Sequence, residues 1–172
     1  MSELVIADSL SLDAFSQAAD TFKAAAPTQT SGGNPFLKMM RTGDWVYGAD
    51  GVAVAEESEW VVPPESLMQG FIAWHGGKVE GEQVSIIGQP TVDETKLPPV
   101  QAKNGWERQV GFGLVGMSGE DEGVTVQWKT NTHGGREAFN KVFDAIVKKN
   151  QEGAVAHPIV KLSHTAYNHA EY

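Results

Sequence analysis

The chain has 172 residues, of which 41% are hydrophobic and 20% are charged, and its formal net charge is −9. This composition excludes a mainly disordered protein. The negative net charge argues against a polybasic protein that binds nucleic acid or anionic lipid through its overall positive charge. No apolar run approaches the length of a membrane span, and the absence of cysteine removes disulfides, thiol catalysis and thiolate zinc sites.

The acidic charge is concentrated in the first part of the chain. Residues 1–100 hold 14 acids and 5 bases, whereas residues 101–172 hold 8 of each. Five acids lie in one stretch without a base, namely Asp50, Glu56, Glu57, Glu59 and Glu65. A solvated loop or edge is the ordinary explanation of such a run, and a specific binding role is the alternative. The N-terminus lacks the basic and apolar segments of a targeting signal, so we expect a cytoplasmic protein.

The N-terminal region, residues 1–35, is predicted to be a helix followed by a flexible loop. Leu10, Ala14, Ala18 and Phe22 recur every four residues within 10–26, which is typical of one helix face, and Pro27 ends the pattern. The polar, glycine-containing run at 27–35 is typical of a loop.

From Phe36 onward the chain is a series of short β-type runs separated by glycine, which favours a sandwich or a barrel. We expect a mainly β, α+β fold with one or two helices, in which residues 36–172 form a single OB-like domain. Gly111, Gly113 and Gly116 are expected at the bulges or corners of a small closed or partly open barrel. Residues 89–105 are predicted to be a long exposed loop, and 158–163 a final strand.

One strong amphipathic helix is predicted at 136–149, lying on the barrel. Its apolar stripe consists of Phe139, Val142, Phe143, Ile146 and Val147.

Aromatic and basic residues alternate in a way that suits single-stranded nucleic acid, because bases stack on aromatic rings while cations contact phosphates. The combinations are Lys38 and Arg41 before Trp45 and Tyr47, Trp74 before Lys78, Trp106 beside Arg108, and Trp128 beside Lys129. The alternative for Trp74 and Trp128 is a core position, since each shares strand alternation with apolar neighbours. The run containing Trp45 and Tyr47 is too short to decide between core and surface.

The start of the predicted helix is a candidate phosphate site. Gly134 and Gly135 allow close backbone approach, and Arg136 is a cation in a first helical turn, where the helix dipole disfavours it. Either Glu137 compensates Arg136 in solvent, or the arginine meets a phosphate. The lysine and threonine of a nucleotide-hydrolysing P-loop are missing.

No catalytic constellation is found in the sequence. His133, His157, His164 and His169 lack metal-ligand spacing and favour surface positions, and no G-x-S-x-G nucleophile is present. We therefore expect no enzyme activity, no cofactor and no metal. A metal-dependent hydrolase that uses these histidines is the weakest hypothesis.

Four segments resemble small tailed-bacteriophage proteins found with replication genes and believed to be single-stranded DNA-binding proteins of OB-fold type. They are FLKMMRTGDWVYG, ESEWVVPPESLMQGFIAWHGGKVEGE, GMSGEDEGVTVQWKTNTHGG and PIVKLSHTAYNHAEY. The resemblance covers residues 36–172 and implies binding of displaced single strands, without sequence preference, in phage replication or recombination. It also implies that Trp45 lies near the groove, that Lys129 and Arg136 lie on its polar side, and that Tyr167, His169 and Tyr172 match a Y-x-H-x-x-Y motif beyond which similar proteins continue.

The expected function is therefore sequence-tolerant binding of single-stranded DNA. Its partners would be the DNA and replication or recombination proteins, with no membrane, and the oligomeric state is open between monomer and dimer. The alternative is a non-enzymatic phage accessory protein that binds a host or phage protein through the acidic stretch at 50–65. The expected DNA contacts are Lys38, Arg41, Trp45, Tyr47, Trp74, Lys78, Trp106, Arg108, Lys129, Arg136 and Tyr167.

Overall fold

The computed structural model describes residues 4–6, 34–153 and 157–164, and in these residues the fold is mainly β with one α-helix. The strands are β1 (Leu4–Ile6), β2 (Leu37–Met39), β3 (Trp45–Tyr47), β4 (Val52–Ala53), β5 (Glu59–Val61), β6 (Met68–His75), β7 (Lys78–Ile86), β8 (Glu107–Ser118), β9 (Thr125–Thr130) and β10 (Pro158–Lys161). Helix α1 spans His133–Gln151, and two 3-10 turns span Pro64–Ser66 and Glu94–Lys96.

The described residues fall into two compact units. Unit 1 contains those of 1–62, 114–128 and 157–172, and unit 2 contains those of 63–113 and 129–156. Strand β8 contributes to both, because Glu107–Gly111 pair with β6 whereas Val115–Ser118 pair with β5.

Unit 1 has two groups of paired strands. One follows the order β1-β10-β5-β8, with β9 also on β8, and the other is the small sheet β2-β3-β4. Trp60, Val61, Leu114 and Val126 are buried in this unit, as expected for apolar residues of paired strands. Glycines with positive φ at 48 and 51 make the sharp turn from β3 to β4.

Unit 2 consists of the antiparallel order β7-β6-β8, helix α1 and the two 3-10 turns. Its helix packs through stacked rings: Phe139 lies 5.9 Å from Phe112 of β8 and 6.1 Å from Phe143, measured between ring centroids. Phe139 and Val142 are the buried residues of the predicted apolar stripe. The stripe therefore determines which side of the helix meets the sheet.

Helix α1 begins three residues earlier than the predicted start at Arg136, because Thr132 caps it. The Thr132 hydroxyl accepts a hydrogen bond from the amide of Gly135 at 3.1 Å, which satisfies one of the unpaired amides of the first turn. Lys148 and Lys149 lie in the last turn, where positive charge interacts favourably with the helix dipole.

A closed barrel is not confirmed. Within the described residues the hydrogen-bonded strand order runs β1-β10-β5-β8-β6-β7 and does not return from β7 to β1. Gly116, which we expected at a corner or bulge, does lie beside a bulge: it pairs with Trp60, whereas Glu59 pairs with Ser118, so that Met117 is the extra residue. Gly116 also permits a close approach, because a Cβ there would collide with the carbonyl oxygen of Asp121. The expected N-terminal helix at 10–26 lies outside the described residues, and Leu4–Ile6, in the region assigned to helix and loop, form a strand paired with β10.

Candidate nucleic-acid interface

The β6–β7 hairpin is the most prominent ribbon of unit 2. Gly76 and Gly77 form its two-residue turn with φ of +58° and +75°, the left-handed conformation that tight hairpin turns require. The register shifts after Ala73, which pairs with Gly81, so that Trp74 pairs with Val79 and Glu80 is the extra, bulged residue.

The tip of this ribbon presents an exposed aromatic ring on one face and an exposed cation on the other. Trp74 is 44% exposed, and Lys78 pairs with His75 at the end of the hairpin. The core position considered for Trp74 is therefore wrong, although its alternation with buried Met68 and Ile72 had favoured it. Strand alternation identifies a face, and at the hairpin tip that face is no longer covered.

On strand β8, which pairs with β6 of the ribbon, Arg108 lies over an aromatic ring. Arg108 pairs with Phe71 across β8 and β6, and its Cζ atom is 5.9 Å from the centroid of the Phe71 ring, within the range of a cation–π contact. The ring is only 7% exposed, whereas Arg108 is exposed. Among the described residues the guanidinium has no hydrogen bond or ion pair, so its N–H donors point to solvent or to a ligand.

Trp106 is held in place by the structure. A Cβ at Gly81 would be 2.6 Å from Cη2 of Trp106, so the indole lies directly over that glycine. Its Nε1 donates a hydrogen bond to the carbonyl oxygen of Pro98 at 2.8 Å. Trp106 therefore joins the ribbon to the 89–105 loop and remains half-buried.

Glu80 attaches the same loop at a second point. Its two carboxylate oxygens accept hydrogen bonds from the backbone amides of Gln101 and Ala102 at 2.7 and 2.9 Å. The bulge that displaces Glu80 from the strand alternation thus serves to hold the loop, which contains no strand and only the 3-10 turn at Glu94–Lys96.

The two other cations expected in unit 2 are differently placed. Lys129 forms an ion pair with Glu82 at 2.7 Å, and its side chain is only 13% exposed. Arg136 is half-buried, and its Nε atom is buried with no hydrogen-bond partner among the described residues. Lys129 is therefore already neutralised within the unit.

In unit 1 the expected aromatic contacts have structural partners. Trp45 donates from Nε1 to the carbonyl oxygen of Ser163 at 3.1 Å. Tyr47 donates its hydroxyl to Asp121 at 3.3 Å and packs edge-on against Trp60, with centroids 6.4 Å apart. Burial, and then the nearby Asp121 carboxylate, raise the pKa of Tyr47. Both rings are half-buried.

Lys38 and Arg41 are exposed near these rings, and the aromatic residue that sequence reasoning missed is their neighbour Phe36. Phe36 is 56% exposed and lies two residues from Lys38. The signal in the sequence is an aromatic residue two positions before Lys38. Tyr167 lies outside the described residues.

The charge divides sharply between the two units. The described residues of unit 2 contain nine bases and nine acids, whereas those of unit 1 contain three bases and eight acids, so the excess of acids among the described residues belongs to unit 1. A polyanion is therefore repelled less by unit 2 than by unit 1.

No group of three or more potential metal-ligating side chains occurs in the part of the chain that the structure describes. Among the same residues, no helix combines the length and apolarity needed to cross a membrane. Comparison of the chain with protein-family models, with curated proteins and with solved structures found no match. The features above define a mixed α+β protein with an aromatic and cationic ribbon.

Proposed function

We propose that the protein binds single-stranded DNA without a sequence requirement, through the β6–β7 ribbon of unit 2 and the neighbouring strand β8, and that it acts by binding alone. The observation that carries this proposal is the exposed indole of Trp74 together with two cations, Lys78 and Arg108, that have no hydrogen-bond or ion-pair partner among the described residues. The neutral charge of unit 2 supports the choice of this unit.

The proposed mechanism combines stacking with a small number of phosphate contacts. A base stacked on an exposed ring contributes about 1–3 kcal/mol whatever its identity, which explains tolerance of sequence. Each phosphate contact on a single strand contributes about −0.7 to the slope of log affinity against log salt. Contacts from Lys78 and Arg108 would together give a slope of about −1.4.

The finer features of the proposal come from the sequence resemblance. They are a partly open OB-like arrangement of the strands, a cytoplasmic role in phage DNA replication or recombination, and contacts with proteins of those processes. Lys38, Arg41, Trp45 and Tyr47 would then form a secondary contact region of unit 1, in which only the two cations are exposed.

The test is a titration of a fluorescently labelled thymidine oligonucleotide, followed by anisotropy at low and high salt. We expect Trp74→Ala to weaken binding by about five- to a hundredfold, the range of one lost stacking contact. Lys78→Ala should weaken binding at low salt and lower the salt slope by about 0.7. Lys141→Ala, an exposed lysine on α1, is the matched control and should leave both quantities unchanged.

Two results would contradict the proposal. The first is a wild-type protein that does not bind the oligonucleotide at low salt. The second is a Trp74→Ala variant with unaltered affinity, because the exposed indole would then have no part in binding.

The alternative function is recognition of a protein partner through acidic unit 1. Its supporting observation is that Asp50, Glu56 and Glu57 are exposed, within the unit that carries the excess of acids among the described residues. Glu59 is partly neutralised by Lys161 at 3.7 Å. A pull-down after nuclease treatment tests it: a partner lost with Glu56→Gln/Glu57→Gln but kept with Trp74→Ala would favour this function.

A further inference from the structure

Strand β7 is a long edge strand of unit 2. It has nine residues and, among the described residues, it pairs with β6 alone. The amide of Ile87 donates to the carbonyl oxygen of Leu67 at 2.8 Å, which fixes the hydrogen-bonding alternation of the two strands. By that alternation three residues direct their backbone N–H and C=O groups away from β6, namely Glu82, Val84 and Ile86. Of these groups only the C=O of Ile86 has another backbone partner, the amide of Gln89 at 3.1 Å.

The usual protection of an edge strand is confined to one half of β7. Charged residues, prolines and bulges prevent edge strands from pairing with other chains, and the bulge at Glu80 lies in the half next to the hairpin turn. The other half, 82–87, contains no proline and no base. Its one charged residue is Glu82, which forms an ion pair with Lys129 at 2.7 Å. This half of the edge is therefore open to another strand.

Two adjacent apolar side chains are exposed where β7 ends. Ile86 is 39% exposed and Ile87 is 50% exposed. Because successive side chains of a strand point to opposite faces of the sheet, a strand added at this edge would cover apolar surface on both faces. The edge thus combines outward-facing backbone groups with apolar side chains, and these are the two features by which a sheet edge binds a further strand.

We propose that this edge pairs with the same edge of a second copy of the chain, antiparallel and around a two-fold axis at Val84. Val84 then pairs with Val84 of the second copy, and Glu82 pairs with Ile86, so that all three outward-facing residues are used. An axis one residue earlier would place Ile86 opposite the bulged Glu80, and an axis one residue later would place Glu82 opposite Gly88, a turn residue with φ of +87°. An axis at Glu82 would oppose two carboxylates, which is unfavourable.

The same register brings apolar groups together on both faces. Ile87 lies opposite Gly81 of the second copy, and the Trp106 indole covers that glycine, because a Cβ there would be 2.6 Å from Cη2 of the ring. The exposed isoleucine therefore gains an aromatic neighbour. On the other face the two Val84 side chains are directly opposite each other, and Ile86 of each copy is their diagonal neighbour.

The dimer goes beyond the proposed function and does not depend on it. Trp74 and Lys78, at the hairpin tip, lie on the far side of the bulge and outside the paired segment. Self-association is therefore measured without DNA, and its result leaves the binding function to its own test.

Sedimentation equilibrium of the full chain tests the dimer. We expect the mass to rise with concentration from 18.5 kDa toward twice that value, with a dissociation constant of about 10–100 μM, because one strand pair is a small interface. Val84→Pro should abolish the rise, since it removes an N–H that faces away from β6 and leaves the β6 pairing intact. Val84→Thr, which keeps the N–H and a β-branched side chain, is the matched control and should dimerise within about threefold of wild type.

Cross-linking tests the register, because the chain has no cysteine of its own. Paired Cα atoms at the axis would be about 5.5 Å apart, within the roughly 4.4–6.8 Å that a disulfide spans. Mild oxidation of Val84→Cys should therefore give a covalent dimer. In Gln83→Cys the two cysteines would be diagonal neighbours about 7–8 Å apart, so this variant should cross-link at least tenfold more slowly.

Each contrary result has a definite meaning. A wild-type mass that stays at 18.5 kDa up to about 500 μM would overturn the proposal and leave the edge to a strand of a different protein. A dimer that a folded Val84→Pro variant does not weaken would show that the copies meet elsewhere. Faster cross-linking of Gln83→Cys than of Val84→Cys would overturn the axis at Val84, and this comparison holds even if the proline variant does not fold.

Discussion

Replacing Asp121 with alanine should destabilise the protein severely, because this one carboxylate holds three segments of unit 1 together. Asp121 is 4% exposed and accepts hydrogen bonds from the Ser58 hydroxyl at 2.6 Å, the Ala55 amide at 2.9 Å and the Tyr47 hydroxyl at 3.3 Å. These donors come from β3 and from the connection before β5.

The magnitude follows from the donors that Asp121→Ala leaves behind. Ser58 is 1% exposed, so its hydroxyl cannot turn to water, and an unpaired buried donor costs about 1–3 kcal/mol. The Ala55 amide loses its acceptor as well, whereas the half-buried Tyr47 hydroxyl can still reach solvent. The total is about 3–5 kcal/mol, a large part of the roughly 5–15 kcal/mol that stabilises a typical domain.

Urea unfolding followed by tryptophan fluorescence measures this loss. With a slope of about 2 kcal/mol per molar urea, the Asp121→Ala midpoint should fall by about 2 M. Asp121→Asn keeps one carbonyl oxygen that can accept from Ser58 and Ala55, so it should lose about half as much. Glu120→Ala, at the exposed neighbouring position, is the matched control and should change the midpoint little. An Asp121→Ala variant within about 1 kcal/mol of wild type would refute the reasoning.

Three further outcomes are expected from single contacts. The pKa of the Tyr47 hydroxyl is raised in the folded protein, so this group stabilises the fold below pH 10, and the stabilisation is lost as the pH rises through the pKa of the folded state. Urea unfolding at increasing pH should show this loss of stability in wild type and not in Tyr47→Phe. Glu80→Ala should expose the amides of the 89–105 loop, which faster hydrogen exchange there would reveal; unchanged exchange would contradict its role. Gly81→Ala should displace the Trp106 indole and cost about 1–3 kcal/mol, with a shift in tryptophan emission, whereas an unaltered spectrum would mean that the ring does not depend on this glycine.

Features set by neighbouring residues were predictable from the sequence. The apolar stripe around Phe139 predicted helix α1 and its packed face, because the 3.6-residue period of a helix is visible in residues that are close in sequence. The short runs separated by glycine likewise predicted a mainly β fold. What the pattern could not supply was how the strands pair, and hence whether they close into a barrel, because pairing depends on residues distant in sequence.

The aromatic residues show why the candidate site was harder to predict. Trp45 is hydrogen-bonded to Ser163 and Tyr47 to Asp121, partners that lie 118 and 74 residues away in sequence. No local sequence pattern therefore reveals that these side chains have partners within the fold. Trp74 shares its alternation with buried residues and is nevertheless exposed, because a hairpin can extend beyond the residues that cover it. The sequence therefore shows where aromatic residues occur but not which of them are exposed and which are held by structural partners.

The division of charge also determines which kind of binding the ribbon can support. Unit 2 is neutral, and three of its lysines are in ion pairs: Lys96 with Asp93, Lys129 with Glu82, and Lys149 with Glu152. A unit that neutralises its own cations cannot hold a strand chiefly by releasing counterions. Stacking, which does not depend on salt in this way, must then contribute most of the proposed affinity, so that an exposed ring such as Trp74 matters more than any single lysine.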